Sequence, residues 1–271
     1  MRKMASVDDV EICYERMGSG PPLVMIMGYT ANMDWWSPLL LEVLSSRYAV
    51  TVFDNRGAGR SGAGCRRFTV KQFAADTAGL MKVLGIERAH VLGASMGGMI
   101  AQQLALDFPL KVDRLVLCCT TCGGPEVKPP ALPVLRRLVD FSGSPEDRIR
   151  RSADVLYPRG YLDDHPDVVE NAIGVILKAM ITPRNAYRQA GAIFGFRTHR
   201  RLPALFQETL VMCGEEDVLV PPANSDTLAA RIPRTTLRRF AGAGHGFTTQ
   251  CAAEVADAVV EFLSEQTAPV T

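Results

Sequence analysis

The sequence predicts an α/β protein with a mostly parallel central sheet flanked by helices. Short apolar runs alternate with amphipathic segments in the first half of the chain and again near its end, a pattern typical of parallel strands joined by crossover helices. The apolar runs are continuous, which is expected of strands buried on both faces. Between them, residues 122–206 show helical periodicity without a convincing strand, so we expect a helical insertion into the sheet-forming unit.

The individual elements follow from these runs and from their flanking turn residues. We interpret six apolar runs as strands, at residues 23–27, 49–53, 90–93, 115–119, 209–213 and 237–240. Apolar residues at three- and four-residue spacing predict helices over 69–84, 96–108, 225–231 and 252–263. With 271 residues, the chain has the length of one large domain or of a domain with an insertion. We therefore predict a core domain at 1–121 and 207–271 and a helical cap at 122–206.

Composition excludes several classes of function. Thirty Lys and Arg residues against 29 Asp and Glu give a net charge of +1, so we expect no nucleic acid and no membrane as partner. No secretory signal and no apolar stretch of about 18 residues is present, which predicts a cytoplasmic protein. The seven cysteines are odd in number and mostly in apolar runs, which favours free thiols over disulfides or a metal site.

A serine motif follows one of the predicted strands. Residues 93–98 read Gly-Ala-Ser-Met-Gly-Gly and lead from that strand directly into a predicted helix. In this setting G-x-S-x-G places its serine on a sharp, strained turn, with the hydroxyl at a helix N-terminus. Side chains at positions 93 and 97 would clash with the neighbouring helix and strand. We therefore expect Ser95 to be a nucleophile and the Met96 N–H to donate to a developing oxyanion.

A serine nucleophile needs a general base and an acid that orients the base. His245 lies in a glycine-flanked loop after the last predicted strand, which we expect to be flexible, and Asp217 follows the strand at 209–213. Glu215 and Glu216 compete with Asp217 for the role of the acid. We favour Asp217 because its shorter side chain loses less rotamer freedom, and we expect both glutamates to point into solvent and the apolar run 218–220 to keep the Asp217–His245 pair partly dry.

The order Ser95, Asp217, His245 and a second motif together resemble a known family. Residues 54–61, Asp-Asn-Arg-Gly-Ala-Gly-Arg-Ser, are similar to the D-x-R-G-x-G-x-S loop of α/β-hydrolases in the esterase, lactonase and C–C-bond hydrolase group. The resemblance spans nearly the whole chain and implies the α/β-hydrolase fold with a helical cap. It also implies structural roles for Asp54 and Arg56 and an oxyanion hole formed by the N–H groups of Tyr29 and Met96.

One residue departs from the family pattern. The family usually has His-Gly after the first central strand, whereas Met27-Gly28-Tyr29 stands here. A backbone donor at Tyr29 survives this change, but the hydrogen bonds that support the loop must differ, and the Tyr29 side chain is a candidate for the pocket wall. Trp35 and Trp36 follow the same loop; they are candidates for substrate binding, although packing is the commoner role of such residues.

The resemblance implies a serine hydrolase that cleaves a small or medium carboxylic ester or lactone and needs no metal or cofactor. A C–C-bond hydrolase acting on a vinylogous diketone uses the same triad and stays open as an alternative. Haloalkane dehalogenases and epoxide hydrolases carry Asp where Ser95 stands, and non-catalytic receptors of this fold usually lose a member of the triad. The sequence leaves open the substrate and whether the chain forms a homodimer.

Overall fold

The computed structural model describes residues 1–140 and 142–264. Within them, eight strands form one sheet in the order β1-β2-β4-β3-β5-β6-β7-β8. Strands β1 and β2 and strands β2 and β4 pair antiparallel, and all other neighbours are parallel. The strands are Lys3–Val7 (β1), Val10–Met17 (β2), Pro22–Ile26 (β3), Ala49–Phe53 (β4), Ala89–Ala94 (β5), Val112–Cys118 (β6), Thr209–Gly214 (β7) and Thr235–Phe240 (β8).

Helices connect the parallel strands and cover both faces of the sheet. In chain order they are Pro38–Ser45 (α1), Val70–Val83 (α2), Met96–Asp107 (α3), Leu132–Val139 (α4), Pro145–Leu156 (α5), Arg159–Asp164 (α6), Asp167–Ile176 (α7), Pro183–Phe194 (α8), Ala223–Arg231 (α9), Phe247–Gln250 (α10) and Ala252–Ser264 (α11). Of the helices in the described part of the chain, none combines the length and the apolar character that a membrane span requires.

The core lies on both sides of the sheet because consecutive strand residues point to opposite faces. Along β3, Val24 and Ile26 pack into the cluster that also holds α2 and α3. Leu23 and Met25 pack on the other face, against side chains of α1 and α11. All four are at most 1% exposed. This two-sided burial explains why the strand reads as an uninterrupted apolar run, and the predicted sheet class is confirmed.

Some elements of the sheet-forming part were not predicted, including β1, β2, α1 and α10. The sequence analysis assigned no strand before residue 23, yet β1 and β2 form an antiparallel hairpin at the edge of the sheet. Its turn at Asp8 has a positive φ of 53°. The hairpin has exposed residues on one face, so it lacks the continuous apolar run that marked the other strands. Helix α1 was also missed, because only Leu40 and Leu44 of its residues are buried.

The order of the strands determines where a ligand can bind. The chain passes from β3 to β4 on one side and then returns to β5 on the other side of β3. At such a switch point the loops that follow the two neighbouring strands diverge and leave a crevice at their carboxyl ends. The loop after β3 begins at Met27, and Ser95 directly follows β5. The candidate nucleophile therefore stands at the crevice of the sheet.

The helices α4–α8 lie within the range 122–206 predicted to be the cap. The two ends of this segment meet, because Gly123 and Arg197 form an antiparallel bridge and the Thr198 N–H donates to the Cys122 carbonyl at 2.8 Å. The segment thus leaves and rejoins the sheet-forming part at one place. The exact boundaries stay a prediction; residue 141 of the predicted cap and residues 265–271 of the predicted core lie outside the described residues.

Arg56 organises a charged network under the loop that follows β4. Its guanidinium is fully buried and donates to both carboxylate oxygens of Asp76 at 2.7 Å and to Asp9 at 2.7 and 3.1 Å. Asp9 also accepts the N–H groups of Cys65 and Arg66 at 2.7 and 3.0 Å. A buried guanidinium needs such partners to offset its desolvation. These bonds support the structural role expected of Arg56.

This network predicts a pH-dependent contribution of Asp9 to stability. Hydrogen bonds from Arg56 hold the pKa of the Asp9 carboxyl well below its usual range, so its stabilising effect is complete above about pH 5 and is lost progressively below about pH 4. Asp9→Asn is expected to lower the free energy of unfolding by about 1–3 kcal/mol at pH 7. Denaturant unfolding should show that this difference in the free energy of unfolding shrinks between about pH 5 and pH 3, the range in which an unperturbed carboxyl titrates.

Asp8→Asn is the matched control. Asp8 is the neighbouring carboxylate, half exposed, and among the described residues its one ion pair is with the half-exposed Arg66, so its removal should change stability by less than about 0.5 kcal/mol. If the loss in the free energy of unfolding of Asp9→Asn stayed constant down to about pH 3, below the range in which a free carboxyl titrates, the prediction would be contradicted. The absence of any loss at about pH 7 would contradict it as well.

Candidate active site

Ser95 occupies a strained turn between β5 and α3. Its φ and ψ are 57° and −119°, a combination that costs a non-glycine residue on the order of 1–3 kcal/mol. The turn is held by its backbone: the Ser95 N–H donates to the Cys118 carbonyl at 2.9 Å, and the Ser95 carbonyl accepts from the Thr120 hydroxyl at 2.7 Å. Both partners belong to the end of β6 or to the residues just after it. The neighbouring strand therefore maintains the strain.

The two glycines of the motif are required by close packing. A Cβ at Gly93 would overlap the Gly97 backbone, and a Cβ at Gly97 would overlap the carbonyl of Ile26 at the end of β3. The clash predicted from the sequence is thus present at both positions. Within the described residues, the Ser95 hydroxyl forms no hydrogen bond, and the side chain is partly exposed. The candidate nucleophile is therefore presented at the sheet edge without a bond that must first be broken.

Asp217 and His245 lie together at the carboxyl ends of β7 and β8. Asp217 Oδ2 and His245 Nδ1 are 2.8 Å apart, and the two residues are 3% and 8% exposed. Asp217 Oδ1 accepts the N–H groups of Leu219 and Val220 at 2.9 and 2.8 Å. An ionised carboxylate can only accept, so Nδ1 is the donor in this pair, and in the neutral imidazole Nε2 then has a free electron pair. This is the tautomer that a general base needs.

The surroundings of Asp217 differ in part from the expectation. Glu215 and Glu216 are exposed, as expected. Within the apolar run 218–220, Val218 is 47% exposed, so its side chain does not help to keep the pair dry, whereas Leu219 and Val220 are half-buried. The backbone N–H groups of Leu219 and Val220 also contribute, because they bind Asp217. The buried neighbour is instead Cys119, whose thiol pKa is raised well above its usual range by burial and then by the Asp217 charge.

The loop that carries His245 is tightly packed, contrary to the flexibility expected from its glycines. The Gly246 N–H donates to the Leu156 carbonyl at 2.7 Å. A Cβ at Gly244 would come within 2.6 Å of that same carbonyl oxygen, and a Cβ at Gly246 would overlap the Tyr157 ring. The end of α5 therefore rests directly on this loop. Glycine is needed here for close approach, and the predicted cap contacts the loop that carries the candidate base.

The loop after β3, residues 28–32, lies against Ser95. A Cβ at Gly28 would stand 3.0 Å from the Ser95 Cβ and 3.6 Å from its Oγ. Where the family usually has histidine, the carbonyl of Met27 accepts from the buried Asn55 side chain at 2.8 Å. Asn55 supplies support that the sequence analysis had left unassigned. Tyr29 directly follows Gly28 in the chain, and Met96 directly follows Ser95. The role of their backbone N–H groups as oxyanion donors stays a prediction.

Asp54 ties the 28–32 loop to the loop after β4. It is fully buried, and its two carboxylate oxygens accept the N–H groups of Met33 and Arg60 at 2.8 and 2.7 Å. Burial raises the pKa of this carboxyl. These contacts agree with the structural role expected of Asp54.

A cavity of about 520 Å³ lies between the core and helices α4, α5 and α7. Tyr29, Trp35 and Trp36 line it, whereas Ser95, Asp217, His245 and Met96 do not. Two of its lining residues border the candidate site: Tyr29 follows Gly28 in the chain, and the Tyr157 ring lies against Gly246. Burial raises the pKa of Tyr29 to about 12, so its hydroxyl stays protonated. On the helical side, the walls are mostly apolar and include Ile149, Leu156, Val168, Val175, Ile176 and Met180.

Comparison with known proteins now decides the family. Residues 21–247 match the family model described as alpha/beta hydrolase fold, which covers most of the chain. The protein belongs to the α/β-hydrolase family. The family assignment and fold class predicted from the triad order and the loop at 54–61 are confirmed.

Relatives of this hydrolase carry names from several reactions. It is 31% identical over 250 residues to a poly(3-hydroxyalkanoate) depolymerase from Ectopseudomonas oleovorans, covering 90% of this chain and 85% of that protein. A relative from Azorhizobium caulinodans named as a carbamate hydrolase, RutD, is 27% identical, covering 89% and 90%. A thermophilic esterase from Thermogutta terrifontis has a TM-score of 0.83 at 26% identity, covering 97% and 98% of the two chains. The protein is a hydrolase.

Proposed function

We propose that the protein is a serine hydrolase that cleaves a carboxylic ester or lactone through an acyl-enzyme on Ser95. One observation carries the proposal: a strained serine, whose hydroxyl has no hydrogen-bond partner among the described residues, follows β5 and shares the sheet edge with a buried His245–Asp217 pair 2.8 Å apart. An esterase and a polyester depolymerase among its relatives support carboxylic esters as the substrate class. The small-molecule substrate would enter through the cavity that Trp35 and Trp36 line.

The proposed reaction has two halves. In the first, Ser95 Oγ attacks the carbonyl carbon while His245 Nε2 takes the hydroxyl proton, and Asp217 stabilises the imidazolium. The N–H groups of Tyr29 and Met96 bind the oxyanion; the alcohol then leaves with the proton from His245. In the second half, His245 removes a proton from water, which attacks the acyl carbonyl, and the carboxylic acid is released as Ser95 recovers its proton. Water and ester account for all atoms, so no cofactor is needed.

A fluorophosphonate probe tests the nucleophile directly. The probe is expected to label the wild-type protein, and mass mapping should place the adduct on Ser95. Ser95→Ala should not be labelled. An adduct at any other residue, or an unlabelled wild-type protein, would contradict the proposal.

The apolar cavity predicts a preference for longer acyl chains. We propose that the acyl group enters it, so each added methylene that is buried should raise kcat/KM by up to about fourfold, equivalent to about 0.8 kcal/mol. A series of nitrophenyl esters from acetate to dodecanoate measures this. Ala172→Phe places a ring in the cavity that Ala172 lines; it should abolish the gain for long chains and leave acetate hydrolysis within about threefold. A flat wild-type series would contradict the assignment of this cavity.

The same series distinguishes related reactions. An aryl carbamate and a vinylogous diketone are included because a relative is named as a carbamate hydrolase and because a C–C-bond hydrolase would use the same three residues. If the protein turned over either of these substrates much faster than every ester, the proposed substrate class would change to carbamates or to C–C bonds, respectively. The residues proposed for catalysis would be unchanged.

We further propose a cytoplasmic location. Cys118, Cys119, Cys122 and Cys213 are buried and unpaired, and free thiols persist in a reducing compartment. The balanced charge supports the absence of nucleic-acid and membrane partners.

A further inference from the structure

We infer that Gln189, on helix α8, is a positioning residue that holds the 28–32 loop in the conformation needed for oxyanion binding. Its Oε1 accepts the Thr30 N–H at 2.9 Å, and the residue is fully buried. Helix α8 belongs to the predicted cap, so part of the catalytic loop would be held from outside the sheet-forming core. The inference rests on the proposed function, because it matters only if this loop stabilises an oxyanion.

The Thr30 backbone needs such a restraint. Its φ is 60°, in the left-handed region, where a β-branched residue is a genuine outlier and persists only when the surrounding structure holds it. Its hydroxyl donates to the carbonyl of Tyr29 at 2.7 Å. With its N–H bound to Gln189, both the carbonyl and the N–H of the Tyr29–Thr30 peptide are occupied. That peptide directly follows the proposed donor and sets its orientation.

The bond to Gln189 also decides which N–H of the loop can donate. Thr30 N–H is engaged, whereas the Tyr29 N–H has no acceptor among the described residues. An oxyanion near Ser95 can therefore bind Tyr29 without displacing an existing bond. A preorganised donor of this kind is worth far more than one that must first be freed.

The side-chain amide of Gln189 is energetically unfavourable at this buried position compared with an apolar side chain of the same size. Its Nε2 is buried and, within the described part of the chain, has no hydrogen-bond partner. A buried unpaired donor destabilises the fold, and a methionine of similar length would pack there without that penalty. What Gln189 supplies and methionine lacks is the acceptor for Thr30. A second hydrogen bond also holds the 28–32 loop, because the Asn32 side chain donates to the Ala179 carbonyl, just before α8, at 2.8 Å.

The test compares three variants in the intact protein with one nitrophenyl ester. Gln189→Met removes the acceptor and is expected to lower kcat by about 10²-fold, as misplacement of a catalytic group does, with KM within about threefold. Gln189→Glu keeps an acceptor oxygen and should stay within about tenfold of wild type. Asn185→Leu is the matched control, because Asn185 lies on the same helix and donates to the Gly57 carbonyl, in a different loop, at 3.1 Å. It should leave kcat within about threefold.

A double-variant cycle with Thr30→Gly separates positioning from general damage. Glycine adopts a positive φ without strain, so the loop depends less on Gln189, and Gln189→Met should then cost less than about tenfold in kcat. If Gln189→Met fails to fold, Gln189→Asn replaces it, since the shorter side chain also withdraws the acceptor from Thr30. The same loss of kcat is expected.

The outcomes distinguish this inference from the proposed function. If the wild-type protein is labelled at Ser95 by the fluorophosphonate and hydrolyses the ester, but Gln189→Met keeps full kcat or Asn185→Leu loses as much, only the inference is overturned. An effect of Gln189→Met that is equally large with Thr30→Gly also overturns it. If the wild-type protein neither reacts with the probe nor hydrolyses the substrates, the proposed function fails and the inference fails with it.

Discussion

Replacing Ser95 with alanine is expected to lower ester turnover by at least about 10⁴-fold. The proposed triad acts as a unit, and loss of the nucleophile alone removes nearly all of its effect. Folding should be unchanged, because the Ser95 bonds in the structure are made by its backbone N–H and carbonyl, which alanine keeps. Steady-state kinetics with a nitrophenyl ester and thermal unfolding of both proteins measure the two expectations.

Ser95→Ala also tests where the activity resides. A variant that keeps more than about a tenth of the wild-type rate, a change of only 1.4 kcal/mol in the barrier, would show that another group is the nucleophile. If Ser95→Ala is inactive because it has lost its thermal transition, Ser95→Cys becomes the decisive comparison. A thiol-reactive probe should then label residue 95, as located by mass mapping. Failure to label that residue would count against an accessible nucleophile at this position.

Asp217→Asn is expected to lower turnover by about 10³- to 10⁴-fold. The N–H groups of Leu219 and Val220 donate to Asp217 Oδ1, and an asparagine needs its one carbonyl oxygen there. Its NH₂ group is then directed at His245 Nδ1, which must become an acceptor. The imidazole proton moves to Nε2, so His245 can no longer take the proton from Ser95. The variant should keep its fold and lose kcat.

The neighbouring glutamates are the controls for Asp217. Glu215 and Glu216 are exposed, and Glu215→Gln and Glu216→Gln should each change turnover by less than about tenfold, or 1.4 kcal/mol. The three variants remove the same charge within three positions of the chain. If either glutamate variant lost as much activity as Asp217→Asn, the acid would have to be reassigned.

Much of the fold could be predicted because its signals are local. The run at 49–53 became β4 with the same bounds, and the helix predicted at 69–84 is Val70–Val83. Strand β4 is buried on both faces and α2 along one stripe, and a short window of sequence reveals both patterns. The β1–β2 hairpin could not be found this way, because an edge strand with one solvated face has a weak pattern and gains its partners only when β2 pairs with β4.

The candidate site, like the fold, has a part that could be predicted from local sequence and a part that could not. Ser95, His245 and Asp217 stand at strand ends, and their order along the chain could be recognised without coordinates. That Asp217 and His245 share a hydrogen bond follows from the structure; their catalytic roles stay predictions for the variants above. Tyr157 and Gln189 could not be anticipated, since they come from a helical region whose periodicity says nothing about which residues face the sheet.

The fold class, the strained turn at Ser95 and the placement of Asp217 just after β7 could be predicted from the sequence, because each depends on residues that are neighbours in the chain. How these parts are held could be seen only in the folded protein. The glycines around His245 serve close contact with α5, Asn55 supports the carbonyl of Met27, and Gln189 reaches Thr30 across 159 positions. Such contacts depend on how distant segments pack, and packing is decided by the whole core at once.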